Sequence, residues 1–298
     1  MQQAHGMFTV KQVAANAPVL GELVTLRDEA ADAEVTVAPR RGALVTSFRV
    51  GSRELLYLDE ATLLDETQNV RGGIPVLFPT PGKLENDTWH FADKSGRLKQ
   101  HGFARNLAWT VARESTLDGA AVTLTLDSSP ATLGAYPWEF HTELTLTLRG
   151  ATLRSSSKVQ NRATTPLPFA FGYHPYFAVG DKSRLAIDTR ATRAFDNVTK
   201  REIAFTGFDL TAPEVDLHLL DHGSTESALH LGDGSRVRVA ASPDFVRWVI
   251  WTKADKDFVC LEPWTAPGNA LNTGESLCVL PPGTERESWV EIGWIAAQ

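Results

Sequence analysis

The sequence predicts an all-β, antiparallel protein, and three observations carry that expectation. Apolar and polar residues alternate with period two along the interior, Gly-containing pairs punctuate the runs, and no segment holds a 3.6-residue apolar stripe over three turns. Period-two alternation puts one face of a strand on a core and the other toward solvent or a polar groove. In chain order, Asp59 to Glu66 reads as a helix of two turns. Asp118-Gly119 then separates a run around 107–113 from 121–127, where Val122, Leu124 and Leu126 alternate with Thr123, Thr125 and Asp127. Asp-Gly supplies the positive φ values that tight hairpin turns demand. Ser129-Pro130-Ala131-Thr132-Leu133 starts a second short helix. Arg149-Gly150 joins 140–148, with Leu144, Leu146 and Leu148 in alternation, to 151–159. Two apolar strands, Leu167 to Phe171 and Phe258 to Leu261, flank a third turn at Asp233-Gly234 between 226–231 and 236–240. A final strand runs from Ser288 to Ile295. No internal repeat and no Ser/Gly/Pro linker divides the chain, so one domain over residues 1–298 is expected.

The balance of 29 Lys+Arg against 36 Asp+Glu in 298 residues gives a net charge of −7. Neither nucleic acid nor an anionic membrane is attracted to such a surface at long range, so neither is an expected partner. With 43 % hydrophobic and 22 % charged residues the composition is that of an ordinary globular protein. No apolar run approaches the roughly 20 residues of a membrane span. The first residues lack a basic start followed by an apolar stretch, so a cytoplasmic protein is expected, as a monomer or weak homodimer. Cys260 and Cys278 each sit among apolar neighbours and read as reduced core thiols rather than a disulfide framework or a Cys-rich zinc site.

Four segments break the strand pattern by mixing Gly, Pro, aromatics and ionisable groups. They are Arg71-Gly72-Gly73-Ile74-Pro75-Val76-Leu77-Phe78-Pro79, Gln100-His101-Gly102-Phe103-Ala104-Arg105-Asn106, Phe171-Gly172-Tyr173-His174-Pro175-Tyr176-Phe177 and Glu262-Pro263-Trp264-Thr265-Ala266-Pro267-Gly268-Asn269-Ala270. Gly and Pro permit or fix unusual backbone angles, which is how a side chain is aimed out of a sheet into a cleft. His174 follows an apolar strand and sits between Tyr173 and Pro175. Glu262 stands where an apolar strand ends, and a buried carboxylate costs free energy unless paired, so it marks either an ion pair or a functional site. Arg71 and Arg105 lie in Gly-rich, aromatic-flanked segments suited to gripping oxygens. Phe78, Tyr173, Phe177 and Trp264 are candidates for stacking on a sugar ring, with ordinary core packing the alternative.

In this order and spacing, the four segments resemble the aldose 1-epimerase (galactose mutarotase-like) family over about residues 20–295. The Arg71-Gly72-Gly73-Ile74-Pro75 and His101-Gly102-Phe103-Ala104-Arg105 strings are similar to those of its hexose-6-phosphate mutarotase branch. The galactose-specific branch carries an Asn-Arg pair where this chain has Arg71-Gly72-Gly73, which points away from a strict galactose preference. The resemblance implies an antiparallel β-supersandwich and a sugar or sugar phosphate as the partner. It implies His174 as general acid, Glu262 as general base, His101 as a sugar-binding and polarising group, and Asp196 as a contact to sugar hydroxyls.

Exchanging anomers means opening a cyclic hemiacetal and closing it on the other face. A base takes the C1 hydroxyl proton while an acid protonates the ring oxygen, so one carboxylate and one imidazole suffice and no metal or cofactor is expected. Two alternatives come from other classes. A cupin-like metalloenzyme would use His101, His174 and Glu262 as ligands, although the chain has no His-x-His pair. A non-catalytic sugar-binding module would use the aromatics and arginines without needing His174 and Glu262 together.

Overall fold

A computed structural model describes residues 7–207 and 209–297, and its strands form three large antiparallel sheets. The first is a meander of Phe8–Ala14, Glu22–Asp28, Ala33–Ala38, Leu44–Val50 and Arg53–Glu54. The second runs Ala186–Asp188, Glu226–His230, Arg236–Ala241, Glu285–Ile295, Thr152–Asn161, Phe140–Arg149, Ala120–Asp127, Thr110–Ser115. All three hairpins expected from the sequence belong to it, with Gly119, Gly150 and Gly234 at positive φ. Helix is confined to single short pieces. Glu60–Leu64 starts at Asp59, whose carboxylate accepts from the Thr62 N–H, and Pro130–Ala135 starts at a Ser129–Thr132 capping box.

The third sheet builds the site. Its order is Arg201–Ala204, Arg193–Asp196, Glu214–Leu219, Arg247–Lys253, Phe258–Trp264, Gly172–Tyr173, Val76–Leu77, with Tyr176–Ala178 also paired to Phe258–Trp264. Alternation divides its two faces. Val215, Leu217, Leu219, Trp248, Ile250, Val259 and Leu261 join the main core, together with Val35 and Phe48 of the first sheet and Leu124, Leu144 and Leu146 of the second. Their sequence neighbours Glu214, Asp216, His218, Val249, Trp251, Glu262 and Trp264 point the other way, into a cleft.

The apolar strand is longer than its sequence suggested. It runs through Pro263 to Trp264, with every residue buried, so Glu262 lies inside a strand rather than at its end. Pro263, which lacks the N–H a ladder uses, lies opposite Trp248 in the register, so the pairing continues past it to Trp264.

Candidate active site

The cleft has a volume of about 960 Å³, within the range of small-molecule sites. Its floor is the polar face of the third sheet, and its walls are loops carrying Gly82–Asn86 and Pro267–Asn269. Those loops touch: a Cβ on Gly82 would lie 2.4 Å from the Gly268 Cα, so the close approach needs glycine.

His174 and Glu262 meet on this floor. The His174 Nε2 lies 3.4 Å from Glu262 Oε1, with 5 % and 1 % of the two residues exposed. The backbone of Gly73–Pro75 positions the histidine, because His174 N–H donates to the Pro75 carbonyl and Tyr176 N–H to that of Gly73. Its ring stacks on Tyr176 at 4.6 Å and meets Trp251 and His101 edge-on. The Trp264 Nε1–H donates to the other Glu262 oxygen at 3.1 Å.

Burial drives the electrostatics. It pushes the Glu262 carboxyl well up, with the nearby Asp216 charge adding to the rise and the Trp264 hydrogen bond and Arg105 opposing it. It pushes His174 well down, reinforced by His101, Arg105 and Arg71. Both shifts favour the uncharged form of each partner, and the neutral pair carries the same single mobile proton as imidazolium with carboxylate. That proton can sit on either side of the pair.

His101 sits at positive φ, followed by Gly102, where a Cβ would lie 2.2 Å from the Phe78 carbonyl oxygen. Its Nδ1 contacts the Pro81 carbonyl. A carbonyl only accepts, so Nδ1 carries the hydrogen and Nε2 keeps a bare lone pair. Burial, with Arg105 beside it, pushes His101 down to about 3, so the ring is neutral.

The other expected residues divide. Arg71 lines the cleft, its guanidinium 5.8 Å from the Trp251 ring. Arg105 does not line it. It is buried behind the site, where its Nη2 donates to the Val70 carbonyl. Arg71 and Arg105 are therefore not a pair facing a common ligand. Asp196 also turns away, its carboxylate bonded to Val198 N–H, Thr199 N–H and the Thr199 hydroxyl in its own turn. Its neighbours Phe195 and Asn197 reach the cleft instead. Phe78, Tyr173 and Phe177 are core rings, leaving Trp264 at the cleft. Among the described residues, the ligating groups that cluster are His174, Cys260 and Glu262, with donor atoms within 4.8 Å of one another, rather than the trio including His101.

Asp216 and His218 are the residues sequence reasoning missed. Asn197 Nδ2 donates to Asp216 at 2.7 Å, and His218 Nε2 lies 3.4 Å from the other Asp216 oxygen. The His218 ring meets Trp264 edge-on at 5.3 Å. The signal was present: Val215, Leu217 and Leu219 alternate with Glu214, Asp216 and His218, placing three ionisable groups on one strand face.

Comparison with known proteins agrees with this architecture. The aldose 1-epimerase family profile matches residues 22–293. A Cenchrus ciliaris protein named "Putative glucose-6-phosphate 1-epimerase" is 28 % identical over 269 residues, covering 85 % of this chain and 76 % of its own. The solved Slr1438 protein of Synechocystis sp. PCC 6803 is 33 % identical, with a TM-score of 0.88 and 99 % of both chains covered. Galactose 1-epimerase from Lactobacillus acidophilus NCFM shares the fold at 14 % identity and TM-score 0.77, over 98 % of this chain and all of the other. The four motifs, the all-β sheets and the match across nearly the whole sequence lead to one conclusion: this chain belongs to the aldose 1-epimerase family of isomerases.

Proposed function

We propose that the protein interconverts the α and β anomers of an aldohexose, with its 6-phosphate the favoured form, using Glu262 and His174 as the proton-transfer pair. The observation that carries this reading is the approach of two buried, opposite-tending groups to 3.4 Å on the floor of a sugar-sized cleft. In the form with the mobile proton on His174, Glu262 as carboxylate takes the proton from the C1 hydroxyl, the C1–ring oxygen bond breaks, and His174 delivers its proton to that oxygen. The open aldehyde turns about C1–C2 and closes on its other face, reversing both transfers. The bare His101 Nε2 accepts from a sugar hydroxyl, and Asp216 and Asn197 offer further partners beside it. Trp264 closes the floor with an edge against His218 and a donor on Glu262.

The phosphorylated form is supported by Arg71, whose guanidinium has no hydrogen-bond partner among the described residues, and by the name of the Cenchrus ciliaris relative. Anomer exchange followed by NMR for glucose, galactose and glucose 6-phosphate tests the reading. Glu262→Gln and His174→Asn are each expected to slow exchange at least 100-fold, as the loss of one general acid or base does. Near-wild-type exchange in either variant, with unchanged circular dichroism, would remove that residue from the mechanism.

A further inference from the structure

The proton-transfer reading leaves one buried nucleophile unused. Cys260 is fully buried on the same strand face as Glu262, two residues before it, and lies opposite Tyr176 and Trp251 in the sheet. With His174 and Glu262 it makes a trio whose donor atoms all lie within 4.8 Å of one another.

One detail of that trio points to a cation. The 3.4 Å between His174 Nε2 and Glu262 Oε1 is longer than a charge-assisted hydrogen bond, which runs at about 2.7–2.9 Å. It equals the edge of a tetrahedron built on zinc–nitrogen and zinc–oxygen bonds of about 2.0–2.1 Å, roughly 3.3–3.4 Å. A thiolate, an imidazole and a carboxylate are the ligand set of a soft to borderline divalent ion, and they exclude magnesium or calcium.

We infer that Cys260, His174 and Glu262 form a site for a soft divalent cation, Zn²⁺ or Cd²⁺, beneath the cleft floor. The ion enters through the cleft, where His174 and Glu262 are lining residues, and its fourth position faces the cavity. Binding releases the thiol proton, and the carboxyl proton where the carboxyl holds one, to solvent. An ion held there occupies both members of the proton-transfer pair, so it inhibits; this consequence rests on the function proposed above, whereas the binding itself does not.

Cadmium titration of the full chain distinguishes the two. Cd²⁺ is expected to raise an ultraviolet thiolate-to-metal charge-transfer band that saturates at one equivalent. The band should survive in Cys278→Ser, vanish in Cys260→Ser and Cys260→Ala, and need at least tenfold more cadmium in His174→Asn. Anomer exchange should fall along the same titration, while Cys260→Ala keeps at least half the exchange rate and becomes insensitive to cadmium. Absence of the band in the wild type, or its persistence in both Cys260 variants, overturns the cation site and leaves the mutarotase reading standing. A saturating band on Cys260 with undiminished exchange upholds the site and overturns the roles given to His174 and Glu262.

Discussion

At the scale of single residues, the site separates side chains that line the cleft from side chains packed behind it. Arg71 is of the first kind, and Arg71→Ala should raise the KM for glucose 6-phosphate about tenfold or more, the loss of roughly 1.5–3 kcal/mol of charged hydrogen bonding. The rate on free glucose should barely change; equal losses on both sugars would make Arg71 structural. On the function proposed above, Trp264 is a positioning residue. Trp264→Phe keeps most of the ring but removes the donor to Glu262, and should lower kcat about tenfold with little change in KM. A wild-type kcat would show that the bond does not orient the carboxylate. That His174, Glu262 and His101 share one cleft was legible in the sequence because Pro and Gly beside ionisable groups mark places where backbone is bent to aim a side chain. Arg105 and Asp196 misled for one reason: a short motif shows which groups are near one another, not which way each side chain leaves the backbone. Arg105 leaves toward the Val70 carbonyl and Asp196 toward its own turn.

At the scale of elements, the hairpins were readable because Asp-Gly and Gly turn chemistry is local. The length of the Phe258–Trp264 strand was not, because a proline ends a strand by intrinsic preference and only the neighbouring strand's register shows that it does not end here. Turn carboxylates also tie strand ends together. Asp221 accepts from Thr192 N–H, the Thr192 hydroxyl and Arg193 N–H, and these bonds hold it down to about 2. A depressed carboxyl contributes stability that is full above its ordinary value of 3.8 and lost as pH falls through about 2. Asp221→Asn should therefore melt a few degrees below wild type at pH 7, and the gap should close between about pH 4 and pH 2. A gap that stays constant across that window would show that the charge is not what the turn uses.

At the scale of the whole molecule, one apolar cluster draws on all three sheets, so a cut anywhere in it is felt throughout. Leu146 is buried in the second sheet, and Leu146→Ala should cost about 2–5 kcal/mol of unfolding free energy in denaturant. Exchange per folded molecule should stay at the wild-type rate, since the cleft lies on another sheet's opposite face. A lowered rate at full folding would show that core strain reaches the site. The two-faced third sheet has a consequence for how such a protein can change. Along Glu214–Leu219 and Arg247–Lys253, positions that hold the molecule together and positions that line the cleft are interleaved letter by letter. Inserting one residue would transpose the two scripts, sending leucines into the cleft and carboxylates into the core. Substitution at alternate positions rewrites one script and leaves the other intact. New specificities are therefore reachable here by point changes, while length changes are confined to the loops.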